Sequence, residues 1–542
     1  MNASSRSSRF QWHIIVLLCA LSGQVLRAQS DVAAEAKSPA PIATTMSPSL
    51  STEQGYNVRA FGAVGDGKNL DSPAINRAIE ACAQVGGGTV SVPPGTYLCG
   101  SIRMKSNIHL RIDAGATILG APQNMNAYDP AEPFAGTAYQ DGGHTYFHNS
   151  LIWGEDLTNV WITGLGVING GGLTRSDKEV GKGPIGLGDK AIALRRCRNV
   201  LIRDITIFHG GHFAVIVTGC DNMTIDNVTI DTNRDGLDLD CCRNTVVSNC
   251  RINSPTDDGL CPKSSYGLGE ARITENMTIV NCQGSGFEEG TLLDGRMLPS
   301  HGRTGRIKFG TESNGGFRNI TVANCTFRQC CGLALEEVDG GILENITIDN
   351  ITMMDVADYP IFIRLGRRNR GPAGTKVGTL RNVFISNVIA TGIDAKSGVQ
   401  IMGLPGYDIE GVRLQNIRLQ FNGGGTKEDA KRVPPELETG YPEPRRFGVM
   451  PSYGLFARHV RDLEIADFRA GFEKEDLRPS AVFNDVDGLE IDNYKALVAK
   501  GVPAARFDGV DGLVVRNSPV LVGLRAHRRQ RPVAPAAEEN GE

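Results

Sequence analysis

Apolar and polar positions alternate in short bursts through the middle of the chain, and the bursts share one phrase. It reads N-V-L-I-R-D-I-T-I from Asn199 and N-M-T-I-D-N-V-T-I from Asn222. Further copies start at Asn244, Asn276, Asn319, Asn345 and Asn382, with weaker relatives from Asn107, Asn159, Val412, Leu463, Leu489 and Leu513. The strong copies begin 23, 22, 32, 43, 26 and 37 residues apart, a unit near 22 lengthened by insertions in some turns. Such a period marks a solenoid. Within a copy the apolar residues fall at Val200 and Ile202, then Ile205 and Ile207, the period of two of short strands with one inward face. Strand period, coil length and Gly-rich corners together predict an all-β fold, a right-handed parallel β-helix. Leucine-rich repeats share the length but need a Leu-x-x-Leu-x-Leu frame and helices, which this chain lacks.

Only residues 72–84 carry a helical stripe, formed by Ala74, Ile75, Ala78, Ile79 and Cys82. A short helix here would cap the open N-terminal end of the solenoid. The recurring Asn residues read as a structural ladder, because a side-chain amide at the same corner of successive coils can satisfy the turn and bond its neighbours above and below. Cys250, Cys282 and Cys325, each following an Asn, read as small side chains stacked in the core. Cys82 with Cys99, or the doublets Cys241-Cys242 and Cys330-Cys331, offer candidate bridges. No pair of C-x-x-C motifs exists, so a structural zinc site is not expected.

The 542 residues carry a formal net charge of −4, which gives no basic footprint for nucleic acid and no polybasic membrane anchor. Arg6 and Arg9 precede an apolar run at 14–21 and the small residue Ala28, the pattern of an export signal over 1–28. No segment reaches the roughly 18 uncharged apolar residues of a membrane span. The expected organisation is a signal, a flexible leader over 29–54, one β-helix domain over 55–526 and a charged tail over 527–542. The expected product is periplasmic or extracellular, with no nucleic-acid or membrane partner, and acts as a monomer.

Acids concentrate in two consecutive coils, N-R-D-G-L-D-L-D from Asn233 and T-D-D-G from Thr256. Asp235 and Asp257 are 22 residues apart, one local coil, so with Asp258 they should share one patch across strands about 4.8 Å apart. Crowding of that kind holds at least one proton and raises its pKa, the condition for acid and base work on a glycosidic bond. Clustered carboxylates also bind Ca²⁺, and Asp238 and Asp240 are positioned to join them. Strict alternation from Leu237 and Leu239 turns Asp235 inward, so either the chain bends at Gly236 or Asp238 is the true partner.

F-G-A-V-G-D-G from Phe61, G-G-G-T-V-S-V-P-P-G-T-Y from Gly86, N-R-D-G-L-D-L-D and D-D-G-L-C-P-K-S together resemble glycoside hydrolase family 28, the polygalacturonase family. The resemblance runs from about Tyr56 to Arg525 and implies a polygalacturonase- or rhamnogalacturonase-like hydrolase of pectic polysaccharide. It implies inversion, with Asp258 as general acid, Asp235 and Asp257 activating water, and no cofactor or metal. Lys263 and Ser264 match the residues just after the paired acids. Lys263, Arg306 and Lys308 are the candidate substrate-binding residues. The rival readings are a Ca²⁺-dependent uronate lyase and a non-catalytic carbohydrate-binding β-helix.

The chain also departs from the family. Arg234 stands where N-T-D is usual. Arg306-Ile307-Lys308 spells the motif that holds a uronate carboxylate, yet by frame G-R-I-K-F-G-T-E-S-N-G-G from Gly305 occupies the coil of the family histidine. The coil from Gly332, where the cations belong, offers Glu336 and Glu337. The histidine is then missing, with Gly305 or Arg306 in its place, and weakened recognition of a uronic acid at the cleavage point is expected. His209 and His212 read as groove wall, and nothing in the sequence fixes His301 in the cleft. Residues 364–370 read as a basic groove loop or a solvated turn, and Tyr441-Pro442-Glu443-Pro444 as packing of a late loop on the coils. Trp153 and Trp161 are the only indoles outside the signal, which is no extended sugar platform. The insertions at 266–304 and 391–447 are long enough to close the groove into a pocket, which would suit terminal attack.

Overall fold

The structure is a computed structural model that describes residues 55–132, 142–175 and 187–524. The expected signal, leader and charged tail lie outside the described residues. Strands from Tyr56–Asn57 to Val514–Arg516 stack coil upon coil, and their pairing is parallel throughout. The chain is a right-handed parallel β-helix, as the repeat requires. Each full coil supplies one strand to each of three sheets. The first sheet, which matters for chemistry, includes Phe213–Thr218, Asp235–Asp240, Leu260–Lys263, Ile307–Phe309, Leu333–Glu337, Ile361–Leu365 and Val399–Met402 in succession. The second includes Asp221–Asp226, Arg243–Ser248 and Thr274–Val280, and the third Thr229–Asp231, Arg251–Asn253 and Gln283–Ser285.

Alternation along these strands sends one column of side chains inward. Val215, Leu237, Leu260, Ile307, Leu333 and Ile361 are stacked in register, all buried. Each such burial contributes about 1.5–3 kcal/mol relative to exposure. A one-residue slip would turn the whole column outward, so the register of the outward residues, including the acids, is set by the core.

The Asn ladder is present. The Asn222 side-chain amide donates to Asn199 at 3.3 Å, and Asn244 to Asn222, Asn276 to Asn244 and Asn319 to Asn276, each at 3.2 Å. These residues hold φ between 53° and 57°, a region Asn tolerates better than most residues. At the weaker copy the corner residue is Gly411, φ 63°, where a Cβ would stand 3.2 Å from the Asn382 amide oxygen. The helix Ser72–Gln84 forms as expected, with Ala74, Ile75, Ala78, Ile79 and Cys82 buried against the first strands and Pro73 in its first turn. Among the described residues no helix is long and apolar enough to cross a membrane.

The twelve described cysteines are all buried and free, which corrects the bridges considered for Cys82 with Cys99 and for the two doublets. Their thiols are used by the turns instead: Cys242 Sγ donates to Val217 O at 3.4 Å and Cys250 Sγ to Ser248 O at 3.2 Å. Cys282 lies between Cys250 and Cys325 within side-chain hydrogen-bonding reach, so that stack is as expected.

Candidate active site

Three carboxyls converge on the outer face of the first sheet. One oxygen from each of Asp235, Asp257 and Asp258 lies within 4.8 Å of the others. The stacking differs from the expected one by a residue. Leu237 pairs with Leu260, and Gly236 N donates to Asp258 O at 3.0 Å, so Asp235 is level with Asp258 and not with Asp257. The turn before the paired acids absorbs the extra residue. Thr256 N donates to Asn233 O at 3.1 Å, and Ser254 Oγ lies 2.6 and 2.9 Å from the carbonyl oxygens of Arg234 and Asp257.

Asp235 shares its parity with the buried Leu237, yet at the first position of the strand one of its oxygens reaches the trio, and Gly236 next to it packs tightly on the following coil. A Cβ there would lie 2.4 Å from Gly259 O and 2.5 Å from Ile252, contacts no other residue could survive. Asp238 faces the same way by ordinary alternation. Its carboxylate is 3.2 Å from Lys263 Nζ and 3.8 Å from His144 Nε2, and Glu312 sits beside the same two cationic groups at 3.4 and 3.9 Å. Asp235, and not Asp238, is the residue within the trio, while Asp238 is set beside Lys263 and His144.

Cations surround the acids asymmetrically. Arg306 Nε donates to Asp258 Oδ1 at 2.6 Å, Lys308 Nζ is 3.2 Å from its other oxygen, and Arg234 is 2.7 Å from Asp257. Burial alone would raise the Asp258 carboxyl, but the charges of Arg306, Lys308 and Lys263 hold it well below the ordinary carboxylate range. Burial and the charges of Asp257 and Asp238 push Asp235 well above that range, and burial pushes Asp238 up to about 7 against Lys263 and His144. Asp257 is raised by burial and by the Asp258 charge, which Arg234 opposes. The carboxyls lie close enough that the protonation of each depends on the others, and the surrounding cations favour negative charge on Asp258 first.

Lys263, Arg306 and Lys308 do gather at the acids, but their partners are the site's own carboxylates, and each is 6% exposed or less. Arg306-Ile307-Lys308 lies on the coil directly after the paired acids. Ala334 and Glu336 lie on the coil after that, where Glu336 is fully buried, 3.8 Å from Lys308, and pushed up to about 7. Within residues 364–370, Arg364 and Arg368 are buried or nearly so and engaged by the protein, while Arg367 stays exposed. Arg364 donates to Gly403 O and Glu436 O, Arg368 binds Asp339, and Arg367 reaches Glu438 at 2.7 Å.

The late loop packs on the coils as its prolines suggest, and it brings chemistry the pattern did not announce. Glu443 accepts from both terminal nitrogens of Arg306 at 3.2 and 3.1 Å, and Lys308 Nζ lies 3.2 Å from Tyr441 Oη. Sequence reasoning also missed Glu312 and His144. Glu312 follows Lys308 on the same coil, a charged residue in a run that is otherwise strand and corner. His144 ends a single 3-10 turn, Gly142–His144, outside the repeat, with no periodicity to place it. His209 is held by Asn169 at 3.3 Å and stacks on Phe208, and His212 is buried. Trp153 is tied to Asp129 at 2.8 Å.

The family model for glycosyl hydrolases family 28 matches residues 82–439, more than half of the chain. The chain belongs to that family. A Vitis vinifera protein named "Probable polygalacturonase" is 30% identical over 232 residues, 40% of this chain and 47% of its own length. An exopolygalacturonase of Platanus acerifolia is 26% identical over 393 residues, covering 68% of this chain and 91% of the relative. The crystal structure of a Thermotoga maritima exopolygalacturonase superposes with a TM-score of 0.53 at 23% identity, covering 68% of this chain and 87% of that one. This family 28 protein is accordingly a polygalacturonase-like glycoside hydrolase, and the acidic patch lies on coils within the matched region.

Proposed function

We propose that this family 28 enzyme is an exported hydrolase of pectic polysaccharide or its oligosaccharides, with one catalytic β-helix over 55–526. In this reading the division of labour differs from the one the family resemblance first suggested. Asp258 is the charged group, held so by Arg306 and Lys308, and so is poorly suited to deliver a proton. Asp257 carries a raised pKa, its side chain is 31% exposed, and it is the member of the trio open to a leaving group. Asp257 is the general acid. Asp258 accepts the proton of the attacking water, which Asp235 helps to hold. An oxygen centred among three atoms within 4.8 Å of one another lies about 2.8 Å from each, a hydrogen-bond length.

Three carboxyls within 4.8 Å of one another, with Arg306 and Lys308 on Asp258 and Asp257 left partly open, are the observation that carries the proposal. Inversion rests on family membership, since oxygens within 4.8 Å are closer than the roughly 6.5–9.5 Å of the usual inverting pair. Proton NMR of freshly released product decides it: the anomer opposite to the substrate linkage is expected, and retention would overturn the assignment. A Ca²⁺-dependent lyase is not favoured, because Arg306, Lys308 and Arg234 already offset the charge a dication would neutralise.

Substrate choice follows from the coil that carries Ala334 and Glu336. With Arg306 and Lys308 committed to Asp258 and Glu336 fully buried beside Lys308, that coil presents no free positive charge to a uronate carboxylate. A neutral sugar on one side of the cleaved bond suits the site better, and attack at chain ends accords with the exopolygalacturonase names of two relatives. Chromatography of products from a panel of pectic oligosaccharides tests this. Hydrolysis of unsubstituted polygalacturonate at ordinary family rates would sink the altered specificity.

A further inference from the structure

On the third sheet, away from the acids, Arg418 pairs in register with Arg469, and Arg469 with Lys495. The three are exposed, and none makes an ion pair among the described residues. This breaks the rule followed on the second sheet. There Arg243, Glu275, Arg318, Glu344, Arg381 and Glu410 alternate in sign coil by coil, with contacts such as Arg318 to Glu275 and Arg381 to Glu344, both at 2.6 Å. Like charges directly opposite on adjacent strands are destabilising. A stack of three without a counter-charge carries a repulsion that the column from Arg243 to Glu410 avoids by alternating sign.

The same three residues line a groove of about 420 Å³ with Ile389, Gln420 and Leu497. Ile389 is 50% and Leu497 52% exposed, so the cations stand between open apolar surfaces. We infer that this groove is a second carbohydrate-binding site, remote from catalysis, that holds a carboxylated stretch of polysaccharide. Cations one coil apart, about 4.8 Å, face anions about one sugar ring apart. The apolar flanks suit the C–H faces of pyranose rings, and Gln420 offers an amide to hydroxyls. The inference rests on the pectic reading of the substrate, and it gives the enzyme a grip on uronate that its cleavage point lacks.

The test is affinity electrophoresis of the full chain in gels with and without polygalacturonate, which needs no turnover. Arg418→Ser, Arg469→Ser and Lys495→Ser combined should weaken retardation about tenfold and flatten its salt dependence. Hydrolysis of a short oligosaccharide should stay unchanged. A control triple with the same charge loss, Lys376→Ser, Lys427→Ser and Lys500→Ser, should behave as the parent. Equal retardation of the groove triple and the parent would overturn the inference, as would equal loss in the control triple. It also fails if single-stranded nucleic acid or anionic lipid vesicles hold the parent as strongly through the same residues. Binding through the groove with no hydrolysis of any pectic substrate would instead defeat the proposed function and leave the groove standing.

Discussion

Arg306 Nε donates to Asp258 Oδ1 at 2.6 Å, and the far end of the same guanidinium is gripped by Glu443. The carboxyl is thereby kept ionised in a place where burial favours the neutral form. Arg306→Gln removes the strongest opposing charge. Asp258 has a depressed pKa in the folded protein, so the stability its charge contributes is present above the unfolded value and lost as pH falls through the folded one. In the variant that loss begins at higher pH, and the acid limb of kcat/KM should move up by about one to three units. A pH–rate profile with the limb unmoved would show that Arg306 does not set the charge.

Glu443 touches neither the trio nor the sugar in this account. It acts by fixing the guanidinium, which makes it a positioning residue. Glu443→Gln keeps one hydrogen bond and removes the charge, so kcat should fall about tenfold while KM and the melting temperature change little. A rise in KM with unchanged kcat would mean the side chain contacts substrate instead.

Glu336 has no hydrogen-bond partner for either oxygen and is pushed up to about 7 by burial. In the folded state it binds its proton more tightly than when unfolded. Stability should therefore decline as pH rises from about 4.5 to about 7 and level off above that, by up to about 3 kcal/mol from this group. Glu336→Gln should flatten the decline, read as urea midpoints across that range, while the similarly raised Asp238 leaves a residual slope. Identical slopes in both proteins would remove Glu336 as a titrating group.

Asn244 donates to Asn222 and accepts from Asn276, all in left-handed corners. Asn244→Ala loses both amide bonds and places a Cβ residue at φ 54°, at a cost of about 2–3 kcal/mol. Asn244→Gly restores the backbone freedom but not the bonds, so it should recover part of that loss. Thermal melts of the two variants separate the contributions.

That ladder was legible because a repeat states the same physical demand many times. Asn199, Asn222 and Asn244 announce the corner, Val215 and Leu237 the inward column, and the helix stripe from Ala74 to Cys82 the cap. The acids were legible for the opposite reason, since no packing demand explains Asp257 and Asp258. What the letters did not carry is the single-residue offset that levels Asp235 with Asp258, which arises from how Ser254 and Thr256 fold the turn. Nor did they carry the roles of Glu443 and His144, which reach the site from short 3-10 turns outside the repeat, where no period applies. Arg306 and Lys308 were located by frame, but their service to Asp258 depends on side-chain direction, which spelling leaves open.

The assignment of acid and base can be separated by the demand each substrate makes for a proton. A glycosidic bond to another sugar leaves as a poor alkoxide and needs full protonation, whereas an aryl glycoside with an acidic phenol departs with little help. Removing the general acid should therefore slow the first far more than the second, and removing the base should slow both alike. Asp257→Asn is expected to lose about 10²–10⁴ in kcat on a natural oligosaccharide and much less on the aryl substrate. Asp258→Asn should lose a comparable factor on both, because the water remains unactivated whatever leaves. If the two variants exchange these profiles, the proton belongs to Asp258 after all, and the cations on Arg306 and Lys308 must release it when substrate binds.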